Sequence, residues 1–179
     1  MFAYMKRGSA FYREVALLAI PLILQNLITT SLGFVDTFMV GLLGDTQLSA
    51  VTAANAPIFL VQVIIFGLMS GLTILVSQFW GKADMPAINR CMGIAMYAGF
   101  TIAACAAAGL FLFPEAVLSM VTDNAVLITE GAPYLRIVGI SYIFNAVSSV
   151  YVSMQRSAEN PLFGMLVFAT SMLLNTFLN

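Results

Sequence analysis

The stretch Val15–Leu43, VALLAIPLILQNLITTSLGFVDTFMVGLL, holds a single ionisable residue, Asp36, in a run otherwise made of apolar and small polar side chains. A hydrocarbon core of about 30 Å is crossed by roughly 20 mostly apolar residues in helical form, so this run is long enough to span a bilayer. Only helices and closed barrels satisfy their backbone groups in lipid, and a run without strict alternation is not a barrel strand. The stretch therefore predicts a membrane helix in an all-α chain. Asp36 is the feature that burial in lipid does not explain, because a carboxylate within a spanning helix costs about 2.5–3.5 kcal/mol on insertion scales and more on others. Either the acid snorkels to the surface or pairs with a neighbouring helix, or it is a cation or proton site lining a polar cavity.

The rest of the chain is of the same kind. Of its 179 residues 61% are hydrophobic and 8% charged, whereas soluble domains are about 25% charged. The length allows five or six spans with short loops and leaves no room for a separate soluble domain. A net charge of −1 without a basic block argues against nucleic acid and against a polybasic lipid anchor. The chain has no histidine, which excludes His-based triads and zinc chemistry. With no paired acids at one depth either, no residues are available for catalytic roles, and neither an enzymatic activity nor a cofactor is expected. Cys91 and Cys105 fall in one predicted helix, about 21 Å apart at 1.5 Å per residue, too far for a disulfide. Lys6, Arg7 and Arg13 ahead of the first apolar run mimic a signal peptide, but the run is too long and lacks a small-x-small cleavage site. It is expected to remain as the first span.

Apolar runs at 15–43, 50–79, 91–113, 132–154 and 162–179 predict about five transmembrane helices within one unit, 1–179. The breaks carry stop signals: Gly44-Asp45, Gly81 to Asp84, Phe113-Pro114-Glu115 and Ala158 to Pro161. Thr122-Asp123-Asn124, in the longest break, is a start signal for a short surface helix. Six of the seven basic residues fall in alternate loops or ahead of the first run. By the positive-inside rule this places the N-terminus in the cytoplasm and the end of the fifth span outside.

Depth and face follow from helix geometry. Asp36 lies about 35 Å along an unbroken helix from Arg13, which puts it in the outer leaflet. In the fifth run Asn175 and Asn179 lie about 21 and 27 Å from Pro161 and reach the outer half from another helix. At 100° per residue Gln25, Thr29 and Asp36 share a narrow stripe with Gly33 beside it, while Ser171, Asn175 and Asn179 repeat every four residues. Two such stripes can face each other across a cavity. Interhelical hydrogen bonding, worth about 0.6–2 kcal/mol per contact, also accounts for the asparagines. One carboxylate among neutral oxygens suits a proton or a small hard cation such as Na+, not a soft metal.

Elsewhere packing explains most features. Gly67 to Gly71 is a small-xxx-small pattern expected to bring helices close, and Pro57 is expected to bend its helix. Gln78, Trp80 and Lys82 read as an interfacial anchor, and Ala103 to Gly109 as a tightly packed, dry face. The eleven Met and fourteen Phe fit an adaptable cavity wall or lipid contact equally well.

Taken together, Ile20-Pro-Leu-Ile-Leu-Gln-Asn26 and Val35-Asp-Thr-Phe-Met-Val-Gly-Leu-Leu-Gly44 resemble the first helix of multidrug and toxic compound extrusion (MATE) transporters. The resemblance continues in Ser70 to Gln78, Gly81 to Asp84, Ala132 to Leu135, Gln155-Arg156 through Asn160-Pro161, and Leu174 to Asn179, so it covers the chain from Arg13 onward. It implies an antiporter of a bacterial inner membrane that exports amphipathic or cationic small molecules as sodium ions or protons enter. It further implies a six-helix lobe paired with a second lobe, and ion coupling by Asp36 with Asn175 and Asn179. Some relatives carry a second acid where this chain has Asn179, so the coupling ion stays open. Five spans fall short of a lobe, which implies a fragment, a truncated product or a half that needs its C-terminal partner. The alternatives are a flippase for lipid-linked oligosaccharides, disfavoured because no Lys or Arg lies mid-membrane, and a non-transporting membrane scaffold.

Overall fold

A computed structural model describes residues 8–178, and Asn179 lies outside them. The described residues form helices only: α1 (Ser9–Leu42), α2 (Asp45–Trp80), α3 (Met85–Leu112), the short α4 (Pro114–Ser119), α5 (Ala125–Ser157) and α6 (Pro161–Leu178). Four of them, α1, α2, α3 and α5, are long and apolar enough to cross a membrane, and α6 is a shorter apolar helix. The chain is a polytopic helical bundle.

The long helices run past the apolar stretches that signal them. Asp45, Thr46 and Gln47 already belong to α2, and Met85 to Arg90 to α3, because an acid in the first turn of α2 and a proline in the first turn of α3 suit helix N-termini outside the hydrocarbon core. The signal at Thr122 to Asn124 starts something larger than a short surface helix. The Asn124 side chain accepts a hydrogen bond from the Val126 backbone N–H at 3.0 Å and so caps α5 itself. The short helix of this connection is α4 instead, opened by Pro114 in its first turn. Asp84 caps α3 through the Ala87 N–H at 3.1 Å. The α1–α2 turn needs Gly44, whose φ of 124° is open to glycine alone at little cost.

The core is a three-helix stack of α2, α3 and α5. Ala54, Ile58, Leu110 and Leu135 close one end together with Leu118 of α4; Ile65, Ala103 and Ala146 fill the middle; Leu72, Val76, Ile88 and Val150 close the other end. Small residues set the spacing. A Cβ on Gly139 would lie 3.0 Å from Leu110 Cβ, and one on Gly99 3.3 Å from Val150. Gly67 and Gly71 do not play this part: a Cβ on either meets nothing within 4 Å, and both line an apolar cavity of about 350 Å3 with Leu68, Leu75, Cys91 and Ile94. The close approach expected there occurs at Gly99, Gly131 and Gly139, because the partner helices converge on α3 and α5 rather than on that face of α2. The Ala103 to Gly109 run is half as predicted: Ala103 and Ala107 are buried, whereas Cys105 and Ala108 are exposed.

Against this stack stands a second layer, α1 packed along α6, with α6 also touching α5 and α1 touching α2. Most apolar side chains of α1 face outward, as they should in lipid; Phe34 and Leu42 are 73% and 72% exposed. Among the described residues of α1 only Pro21 and Gln25 are buried. Glu14, Leu17 and Leu18 line one cavity with Glu159 to Leu162, and Gln25 meets Gly164 further along. The two helices therefore run parallel.

Candidate functional site

The cleft between the layers is walled by polar stripes on three helices. On α2, Thr52, Asn55, Gln62, Ser70 and Thr73 recur at helical spacing; on α5, Tyr134, Asn145, Ser149 and Arg156 do the same. Both stripes face the stripe of α1, and two cavities occupy the cleft.

The first, about 530 Å3, holds Asp36. Gly33, Thr37 and Met39 of α1, Thr52, Asn55 and Gln62 of α2, and Tyr134 of α5 contribute to its lining. Every polar neighbour here is an uncharged oxygen- or amide-bearing group. The Tyr134 hydroxyl donates a long 3.4 Å hydrogen bond to Asn55 Oδ1 and lies within electrostatic reach of Asp36. About two helical turns deeper, Gln62 Nε2 donates to the Tyr142 hydroxyl at 2.8 Å. These bonds tie α2 to α5 on the wall opposite Asp36. Replacing Tyr142 by phenylalanine is expected to lower stability by about 0.5–1.5 kcal/mol, read as an earlier thermal midpoint in detergent. The double variant with Gln62→Leu should recover part of it, since no donor is then left unpaired; an unchanged midpoint in the single variant would show that the bond contributes nothing.

The second cavity, about 410 Å3, holds Gln25 among Ser70, Thr73, Ser149, Ser153 and Arg156, with apolar walls from Phe66, Met69 and Phe168. Arg156 Nη2 donates to Gln25 Oε1 at 3.2 Å, and the Thr73 and Ser153 hydroxyls bond each other at 3.0 Å.

The structure thus divides the stripe read on α1. Asp36 and Gly33 share one cavity, and Gln25 lines the other. Thr29 lies between them, its hydroxyl bonded back to the Gln25 carbonyl at 2.9 Å. On α6, Ser171 is exposed and bonds back to the Val167 carbonyl at 2.9 Å. Asn175 is half-buried near the helix end and does not belong to the described lining of the Asp36 cavity. The register nevertheless relates it to Asp36. Eleven residues beyond the Gln25–Gly164 contact (25 to 36, 164 to 175) bring parallel α1 and α6 to Asp36 and Asn175, both about 16 Å further along. Asn179 falls outside the described residues. Asn55, Gln62, Tyr134 and Tyr142 escaped the sequence reading, although the helical spacing used for α1 and α6 also marks the first three.

An all-helical bundle with spans of this length, opened by a polar cleft that carries one carboxylate, defines a multi-pass integral membrane protein. The profile of the MatE family matches residues 21–179, and the chain belongs to that family, the multidrug and toxic compound extrusion transporters. It is similar to "Probable multidrug resistance protein NorM" of Chromobacterium violaceum, 31% identical over 127 residues, which covers 67% of this chain and 27% of the relative. It is also similar to "Multidrug resistance protein PmpM" of Pseudomonas aeruginosa, 30% identical over 149 residues, with 82% of this chain and 30% of the relative covered. "Multidrug resistance protein MdtK" of Edwardsiella ictaluri is 33% identical over 93 residues, or 50% of this chain and 20% of the relative. The chain spans less than a third of the length of these curated relatives.

Proposed function

We propose that this chain supplies the ion-coupling helical lobe of a secondary active antiporter that exports amphipathic or cationic small molecules. The observation that carries the proposal is Asp36 itself, a carboxylate set in a 530 Å3 cavity whose other polar groups are neutral. In a low-dielectric bundle such a group is stabilised by a proton or by a small hard cation shared with neutral oxygens. Thr37, Thr52, Asn55 and Tyr134 offer such oxygens, and the matching level of Asn175 on α6 supports its inclusion, with Asn179 as a further ligand. Either Na+ or H+ serves this chemistry.

Occupancy then controls conformation. An empty Asp36 carries a full negative charge into the cleft between α1 and the α2–α5 wall, and an occupied one does not. The two states favour different packings of the α1–α6 layer, and an ion shifts the balance by its differential affinity for them. Rocking of one bundle against another completes alternating access, so the lobe is proposed to work with a second helical lobe, in keeping with the share of its relatives that it spans.

Efflux of a fluorescent lipophilic cation, from cells lacking their own exporters, tests this reading. Expression of the protein in its natural full length should accelerate efflux when a sodium or proton gradient is imposed and not when both are collapsed. Equal rates with and without the gradients would sink it.

The arrangement in the membrane belongs to the same proposal: a bacterial inner membrane with the N-terminus inside. Arg13, Lys82, Arg90 and Arg156 lie at or beyond one set of helix ends. Alkaline phosphatase fused after Thr122 should be active and a green fluorescent protein fused after Ala158 should fluoresce. The reverse pattern would invert the orientation, and with it the side from which Asp36 is reached.

A further inference from the structure

The cavity around Gln25 is separate from the Asp36 cavity, and its chemistry is opposite. Arg156, in the last turn of α5, is the charged residue in its lining. Among the described residues its guanidinium pairs with no carboxylate and makes one hydrogen bond, to Gln25 Oε1 at 3.2 Å. A guanidinium carries five N–H donors and no acceptor, so this contact leaves most of its donors unused and also fixes the orientation of the Gln25 amide. With Oε1 turned to Arg156, Nε2 is the free end. Gln25 is only 6% exposed, yet nothing among the described residues accepts from Nε2, and no fully buried polar atom there lacks a partner. The amide N–H groups therefore open onto the cavity that Gln25 lines.

Hydroxyls complete the ring. Ser70, Thr73, Ser149 and Ser153 line the same space, while Phe66 and Phe168 form an apolar wall. The acids nearby in sequence, Glu14 and Glu159, line a different cavity. A guanidinium, an amide donor and hydroxyls that share a space of about 410 Å3 with aromatic rings match an anionic head on an apolar body. That volume lies within the roughly 300–1,000 Å3 usual for small-ligand sites. Carboxylate and phosphate are the groups that the planar fork of arginine recognises by paired hydrogen bonds.

We propose that this cavity is a binding site for amphiphiles bearing a carboxylate or phosphate head, held by Arg156 and Gln25. Its position at the end of α5 lets such a molecule enter from the membrane surface without passing Asp36. The head could belong to an anionic phospholipid of the surrounding bilayer or to a soluble amphiphilic acid; the chemistry is shared, and the two sources separate by competition. The proposal does not rest on the direction or coupling of transport.

The test is equilibrium binding of a fluorescent fatty acid and of its methyl ester to the full-length protein in nanodiscs of phosphatidylcholine. The unaltered protein should prefer the acid by about tenfold or more, as one charge-assisted contact implies. Arg156→Gln should abolish that preference, Arg156→Lys should retain much of it, and Arg136→Gln, outside the cavity, should leave it intact. Adding phosphatidylglycerol to the disc should weaken acid binding by the unaltered protein, but not by Arg156→Gln, if the occupant is a lipid head. Acid binding that ignores phosphatidylglycerol but still depends on Arg156 assigns the site to a soluble acid. Equal binding of acid and ester by the unaltered protein would overturn the proposal even if the Arg156 variants failed to fold, and so would an Arg156→Gln protein that keeps the preference.

Discussion

Replacing Asp36 by asparagine is expected to reduce gradient-driven export to the level of cells without the protein, at unchanged membrane abundance. Asparagine keeps the shape of the side chain and removes the charge and the titrating proton, so the α1–α2 wall retains its packing. Insertion should be eased if anything, since a carboxylate in a spanning helix is disfavoured by about 2.5–3.5 kcal/mol on insertion scales. What disappears is the difference between two ionic states. Without it, a gradient has no differential free energy to act on, and the populations of inward- and outward-facing packings no longer respond to it. Substrate binding in detergent should survive, because none of the neutral groups around the cavity is altered. Running the assay with sodium and proton gradients separately identifies the coupling ion in the unaltered protein. Export by Asp36→Asn equal to the unaltered protein would leave Asp36 a purely structural role. Loss of the variant from the membrane would instead mean that the carboxylate holds α1 in place.

The reading of Asp36 illustrates what sequence periodicity carries and what it does not. A charge in an apolar run is visible in one dimension, and so is the stripe it shares with Gln25, Thr29 and Gly33. Helical geometry alone fixes which residues share a face. It does not fix where along that face one cavity ends and the next begins, and here the stripe serves two. That division comes from α2, which packs antiparallel and presents Asn55 and Gln62 to one cavity and Ser70 and Thr73 to the other. Tyr134 and Tyr142 are harder to foresee, because tyrosine is equally at home in lipid-facing and interfacial positions. Arg156 is the sharpest case. As a basic residue at a helix end it reads as a topology anchor, yet its guanidinium turns inward to the Gln25 amide. A long side chain makes that choice from three-dimensional partners alone. Gly67 and Gly71 err the other way: their spacing permits close approach, but α3 faces them across an apolar cavity instead of closing on them. The all-α bundle and the order of its spans, by contrast, follow from apolar length and loop signals, which need no tertiary information.

Gly164 is where the two layers are joined, and enlarging it should loosen that joint. A Cβ at this position would lie 2.9 Å from Val152 Cγ1 and 3.1 Å from Gln25 Oε1. Both neighbours are buried, Val152 at 6% and Gln25 at 6% exposure, so neither can simply swing away. Gly164→Ala must therefore push α6 off α5 or displace the Gln25 amide from Arg156. The helix propensity of alanine works in its favour by about 1 kcal/mol. Overpacking of a well-filled site costs typically about 1–3 kcal/mol, and loss of a hydrogen bond to a charged donor about 1.5–3 kcal/mol. Subtracting the alanine gain from either cost leaves a net destabilisation of up to about 2 kcal/mol, read as a lower thermal midpoint of the purified protein. The cause can be separated from a general glycine effect. Adding Val152→Ala to Gly164→Ala removes the methyl at 2.9 Å and should restore part of the loss, although Val152→Ala alone leaves a cavity and destabilises. Purely additive effects of the two substitutions would show that α6 does not depend on this contact for its seat. A non-additive recovery would show that the contact of Gly164 with Val152 seats α6 on α5, beside the Gln25–Arg156 bond.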